Sequence, residues 1–307
     1  MTAITIDAMP SVPTNERTNE ASLQPARPTA KQLEIAAAPS SATEHAAAMR
    51  TFFAAVLPPI LGVLLLIGIW HVATIKGGAA GATIPSPAQT WDAAAKLFAD
   101  PFYSNGPNDQ GIGWNILASL QRVGIGFGFA ALVGIPAGFL LGRFALLSSL
   151  VNPLISLLRP VSPLAWLPIG LLVFKRADPA ATWTIFICSI WPMIMNTAQG
   201  VQRVPQDYLN VARVLNLSEW KIVTKILFPS VLPYMLTGIR LSIGTAWLVI
   251  VAAEMLTGGV GIGFWVWDEW NNLKVEHIII AIFVIGIVGL ILEQALLLLA
   301  KRLHTEG

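Results

Sequence analysis

Hydrophobic and polar positions divide this chain into long apolar runs separated by short charged breaks. Residues 51–75 hold no formal charge between Arg50 and Lys76, more than the roughly 20 residues a helix needs to cross a hydrocarbon core. They predict a first membrane span. Residues 84–100 place Trp91, Ala94, Leu97 and Phe98 at helical spacing, the pattern of a short amphipathic helix near the membrane surface. A polar loop, residues 101–115, follows. Arg122 and Arg143 then bracket 20 uncharged residues that include Gly124, Gly128, Gly134, Gly138 and Gly142. This small-xxx-small repetition gives the second span, 123–142, a face that another helix can approach closely. A third apolar stretch, 146–174, is interrupted by Pro153, Pro160, Pro163 and Pro168 and carries Arg159 near its middle, so it should be kinked or partly unwound. Runs at 180–202, 231–253 and 277–300 complete six spans. The fold class is an all-α polytopic membrane protein with a transmembrane domain over residues 49–305.

Two segments fall outside this pattern. Residues 1–48 are rich in Ala, Pro, Thr, Ser and Glu and lack Phe, Trp and Tyr, too little apolar surface to offset ordering entropy, which predicts a disordered tail. A cleaved signal peptide ending near Ala80-Gly81-Ala82 is disfavoured, because the apolar run is too long and a long tail precedes it. Residues 203–230 alternate Arg203, Asp207, Arg213, Glu219, Lys221 and Lys225 with apolar positions, an amphipathic pattern that does not cross a bilayer. Pro205 suits the first turn of a helix, Asn216 a left-handed C-terminal cap, and Ser218 the N-cap of a second helix running to about Phe228. Pro229 and Pro233 mark the entry to the fifth span. The apolar members Tyr208, Val211, Ala212, Leu215, Trp220, Val223 and Ile226 exceed what a solvated loop exposes. Part of this knob therefore packs on the membrane domain or fills a groove in a partner.

Composition agrees with the membrane reading and removes other classes. Of 307 residues, 55% are hydrophobic and 12% charged, with mean hydropathy +0.66 and net charge +2; soluble domains average about 25% charged. A charge this small gives no footprint for nucleic acid. The single cysteine, Cys188, excludes a disulfide framework and multi-cysteine metal patterns. His45, His71, His277 and His304 are isolated, so no metal site, catalytic group or cofactor is expected. Several of the eleven Trp, namely Trp70, Trp91, Trp114, Trp265, Trp267 and Trp270, sit beside apolar runs where interfacial belts place them.

With both termini cytoplasmic, the inner flanks collect Arg50, Arg143, Arg203, Arg213, Lys221, Lys225, Lys301 and Arg302. The outer loops hold Lys76, Lys96, Lys175, Arg176 and Lys274, with Arg122 at a boundary. That bias selects this orientation and puts the knob in the cytoplasm.

The run Asn210-Val211-Ala212, then Asn216, then Ile226-Leu227-Phe228-Pro229 resembles the Glu-Ala-Ala, Gly, Ile-x-Leu-Pro signature of bacterial ABC importer permeases, at the family's spacings. Asn210, Val211, Asn216 and Phe228 depart from it. Asn is the next-best residue for a left-handed cap, whereas Asn210 removes a carboxylate, so polar contact must replace any ion pair. Residues 159–168 (Arg-Pro-Val-Ser-Pro-Leu-Ala-Trp-Leu-Pro) and Ala252-Ala253-Glu254-Met255-Leu256 are similar to the nitrate, sulfonate and taurine branch of these permeases. Asp100-Pro101-Phe102-Tyr103, Asn105-Gly106-Pro107-Asn108 and Gly111-Ile112-Gly113-Trp114 are similar to the insertion of its nitrate-type group, whose relatives also handle nitrite, cyanate or bicarbonate. The resemblance covers about residues 50–305.

It implies a type I importer permease fold and a homodimer in the bacterial inner membrane. ATP-hydrolysing ABC subunits would dock on the knob through Asn210, Val211, Ala212, Leu215, Asn216, Ile226 and Pro229, and an extracytoplasmic binding protein would present nitrate or a related anion. No G-x-x-x-x-G-K-[ST] motif is present, so the ATPase is another chain. An ion-coupled secondary transporter is the alternative; it would show several intramembrane acids and an inverted repeat.

A charge near the bilayer centre costs at least about 2.5 kcal/mol. Arg159 either lines the passage and offsets the charge of a transiting anion, or hydrogen-bonds carbonyls freed by Pro160 and Pro163. Arg240 either shares that passage or snorkels to the interface. Glu254 suits a structural ion pair or interfacial placement better than a proton relay, and Glu293 an interfacial site. The run Gly258-Gly259-Val260-Gly261-Ile262-Gly263 follows a membrane helix rather than a strand, which favours a flexible turn over a phosphate cradle.

Overall fold

The computed structural model describes residues 41–77, 84–107 and 109–305. The expected tail as far as residue 40, the Ala80-Gly81-Ala82 stretch and Asn108 lie outside them. The chain divides into two compact units, Met1–Ile67 and Gly68–Gly307. The first contributes most of helix α1 (Ser41–Gly77), whose apolar stretch Val56–Ile75 is long enough to cross a membrane. Helix α1 starts inside the stretch expected to be tail. Ala46, Ala47 and Ala48 have the highest helix propensity, and extending a helix already nucleated downstream costs little.

In the second unit, helix α2 (Pro87–Leu97) opens on a capping box. The Gln89 amide donates to Ser86 Oγ at 3.3 Å and the Ser86 amide to Gln89 Oε1 at 2.8 Å, which satisfies two otherwise orphaned N–H groups. Then come α3 (Ile112–Arg143), α4 (Ala145–Leu158), α5 (Pro163–Phe174) and α6 (Ala177–Gln202). Helices α7 (Gln206–Val214) and α8 (Glu219–Ile222) form the knob; α9 (Phe228–Thr257), α10 (Ile262–Asn271) and α11 (Val275–Thr305) end the chain.

Four stretches are long and apolar enough to span: Val56–Ile75, Ile112–Arg143, Glu219–Thr257 and Val275–Leu298. The α4–α5 pair, bent by 99°, is apolar and long enough only when taken together, as a broken span or a re-entrant loop. The kink expected there is a full break at residues 159–162, where Pro160 and Pro163 supply no amide donors. Helix α6 has 26 residues and at about 39 Å is long enough to cross a bilayer. It is less apolar because it is the central helix: Thr184, Ser189 and Thr197 are fully buried and meet protein, not lipid.

Small residues set the packing. Gly126, Gly134, Gly138 and Gly142 lie on one face of α3, and a Cβ on any of them would fall 2.5–3.1 Å from Ile185, Met193, Thr197 or Val201 of α6. Gly124 and Gly128 point elsewhere, into open space. On the other side of α6, the Ser242 hydroxyl of α9 donates to the Ser189 carbonyl at 2.6 Å. Close backbone approach through small residues is what holds helices together where lipid removes the hydrophobic drive.

The second helix of the knob does not stop near Phe228. It continues from α8 through one wide π turn, Val223–Leu227, into α9. Pro229 has no amide to give the Lys225 carbonyl, and the wider turn makes room for its ring.

Candidate functional site

Chemistry gathers at three places along α9. The first is the knob. Helix α7 ends in a Schellman turn: Asn216 sits at φ +51°, the Leu217 amide donates to the Ala212 carbonyl at 3.0 Å, and the Asn216 amide to Arg213 at 2.9 Å. That pairing is the one a left-handed cap produces. Ser218 occupies the N-cap position of α8 without a side-chain bond. Leu209, Ala212, Ile222 and Leu227 are buried against Val201, Val231 and Met235. Tyr208, Val211, Val214, Leu215 and Trp220 are 55–86% exposed. The knob thus has an anchored face and an apolar face turned outward. Arg143 ties it to α3 through Glu219 at 3.0 Å.

Each residue singled out in the sequence takes a defined place here. Val211 and Leu215 are on the outward face. Asn210 is exposed and accepts a hydrogen bond from Arg213 at 3.2 Å. Ala212 is fully buried, so it shapes the knob from within. Ile226 is half-buried at its root, and Pro229 is exposed where α9 begins. Val214 is the most exposed of the apolar group, and no motif position marks it in the sequence.

The second place is the far end of α9. Glu254 is 1% exposed and its carboxylate is fully engaged. Arg122 Nη1 donates to Glu254 Oε1 at 2.6 Å and to the Val260 carbonyl at 2.7 Å; its Nε and Nη2 donate to Asp178. Ser119 Oγ donates to Glu254 Oε2 at 2.7 Å and accepts from the Ile262 amide at 2.9 Å. The Gly263 amide reaches Glu254 Oε2 at 3.0 Å, and the Gly261 amide reaches Asn115 Oδ1 at 2.8 Å. The glycine loop is therefore no flexible turn. Gly261 and Gly263 are buried, and a Cβ there would lie 2.4 Å from the Glu254 carboxylate and 2.1 Å from the Val251 carbonyl. The N-terminus of α10 does receive an anion, as its dipole favours, but the anion is the chain's own Glu254. The signal in sequence was the polar stripe Asn115, Ser119, Arg122 at helical spacing within an apolar helix.

The third place is the pair Arg240–Glu293, joining α9 to α11. The Arg240 guanidinium is held by Glu293. Arg159, at the C-cap of α4, is exposed, and among the described residues its guanidinium has no hydrogen-bond partner.

Elsewhere, Glu269 of α10 lies 2.9 Å from His277 and 3.3 Å from Lys274. Burial would raise its carboxyl, but His277 and Lys274 outweigh that and hold it below the ordinary carboxylate value.

A polytopic helical bundle that carries a projecting two-helix knob between two late spans is the build of a membrane transport subunit. The chain belongs to the family of binding-protein-dependent transport system inner membrane components, whose pattern matches residues 134–305. This membership sets aside the ion-coupled carrier. It is 47% identical over 246 residues to the nitrate import permease protein NrtB of Leptolyngbya laminosa, covering 80% of this chain and 87% of that one. Against the bicarbonate transport system permease protein CmpB of a Synechocystis species it is 45% identical over 249 residues, 80% and 88% of the two chains. The fold matches a crystal structure of an amino acid ABC transporter, with TM-score 0.54 and 14% identity over 71% of this chain and all of that one.

Proposed function

We propose that this chain is the permease subunit of an ATP-driven importer for a small inorganic anion, nitrate foremost. The observation that carries the reading is the outward apolar face of the knob, rigidly continuous with a membrane-spanning helix. Five large apolar side chains standing free on a charged segment mark a protein-binding surface. A partner ATPase would take Val211, Leu215 and Trp220 into a cleft, with Asn210 as a polar contact, while Ala212, Asn216, Ile226 and Pro229 set the shape it grips. Energy must arrive this way because no phosphate-cradling motif occurs in the chain.

The remaining parts follow from that reading. Two copies in the bacterial inner membrane, termini and knobs in the cytoplasm, surround the passage; lipid covers the rest. An extracytoplasmic binding protein delivers the anion. Arg159, at the break between α4 and α5 with no hydrogen-bond partner among the described residues, and Arg240 are the passage candidates. The names of relatives similar over four-fifths of the chain favour nitrate and keep bicarbonate as the second substrate to test.

The test is uptake in a strain lacking its own nitrate and bicarbonate importers, supplied with this chain, its ATPase and its binding protein. ATP-dependent nitrate uptake is expected. Bicarbonate uptake without nitrate uptake would change the substrate and keep the class; uptake that persists without the ATPase would overturn the class.

A further inference from the structure

The groove between α9 and α11 is accounted for neither by the knob nor by the packing of the bundle. Arg240 Nε and Nη2 both donate to Glu293 Oε1. Among the described residues, Arg240 Nη1 and Glu293 Oε2 have no partner. The pair is 52% and 42% exposed. It borders a cavity of about 600 Å³ floored by Gly244 and Gly286 and backed by Trp247. A Cβ on either glycine would meet nothing within 4 Å.

Depth makes this unusual. Arg240 is eleven residues past Pro229 and fourteen before Glu254, about 16 and 21 Å from them along a helix rising 1.5 Å per residue. Neither end of the span is within easy reach. A charge pair with a free donor and a free acceptor does not face hydrocarbon, which satisfies neither. Water satisfies both.

We propose that this groove is an anion station on the translocation passage, with Arg240 as the contact group and Glu293 as its built-in competitor. The inference rests on the importer reading above. Nitrate and bicarbonate are planar, with paired oxygens at angles close to those of a carboxylate, and a guanidinium binds all three through the same fork of N–H groups. Glu293 thus stands where the cargo would stand. Because it must be displaced for the anion to bind, it keeps the site weak, and a weak site releases its ion quickly.

The test places a cysteine at the floor, Gly244→Cys, in the permease assembled with its ATPase, and measures labelling by small anionic and cationic thiosulfonates. Labelling is expected, slowed by millimolar nitrate. Adding E293Q should favour the anionic reagent over the cationic one, and adding R240Q should reverse the preference. R240Q/E293Q leaves no unpaired charge, so it should assemble, yet lose the nitrate protection and about tenfold or more of the uptake rate, as loss of a charged hydrogen bond implies. No labelling of Gly244→Cys, or a double variant that transports like the parent, would overturn the station. Failure of the unmutated chain to take up nitrate or bicarbonate would instead overturn the importer reading.

Discussion

Helix α3 is joined to the long helix α8–α9 by an arginine–glutamate pair at each end. At the knob, Arg143 meets Glu219, which is 62% exposed. At the far end, Arg122 meets Glu254, which is 1% exposed and also takes bonds from Ser119 and Gly263. Water screens the first pair and weakens it. The second sits where each remaining lone pair had to find a partner, and removing either member strands a buried charge. One end of the helix pair is therefore clamped and the other is lightly held. That asymmetry is what the proposed docking requires, a knob that a partner can push and an opposite end fixed to its neighbours.

The sharpest way to break this comparison is to neutralise each glutamate in turn. Glu254→Ala should cost about 3–5 kcal/mol, read as a large fall in the unfolding midpoint of the purified protein; a small fall would show the clamp to be ornamental. Gly263→Ala should come next, about 1–3 kcal/mol from overpacking, since its Cβ would sit 2.1 Å from the Val251 carbonyl. Gly124→Ala, facing open space, is the control and should stay within about 0.5 kcal/mol.

At the knob the effect should appear in function before stability. Leu215→Asp, on a side chain 65% exposed, should reduce ATP-dependent uptake about tenfold or more, as hot-spot losses do, with membrane levels unchanged. Ala212→Asp would put a charge in a fully buried site and lower those levels instead. If Leu215→Asp kept full uptake, the outward face would not be the docking surface. Glu219→Ala should shift stability by no more than about 1 kcal/mol.

The smallest effect concerns acid. The Glu269 carboxyl is held below its ordinary value of 4.5, so the folded chain binds fewer protons there than the unfolded one. Its contribution is complete above the ordinary value and is lost as pH falls through the depressed one. Unfolding curves of Glu269→Gln should lack that acid-side slope.

Much of the knob was legible because its signals are local. Asn216 after an apolar turn predicts a left-handed cap on steric grounds alone, and the φ of +51° follows. The end of its second helix near Phe228 is not legible, since Pro229 and Pro233 read as a break and only the π turn at Val223–Leu227 accommodates the first of them. Arg122, which brackets the uncharged run 123–142 in sequence, lies within helix α3 because Glu254 and Asp178 hold its guanidinium there.

Length, apolar period and turn residues, all properties of neighbours along the chain, marked out the long apolar helices and the knob. The partner of Arg122 lies 132 residues away and that of Arg240 lies 53 away, and no periodicity carries information across such distances. Whether a charge is clamped, screened or left facing a groove depends on what folds against it, and the energy of a charge is set by those surroundings rather than by its own chemistry. Tertiary packing alone made Glu254 a buried anchor and set Arg240 against Glu293 at the edge of a groove.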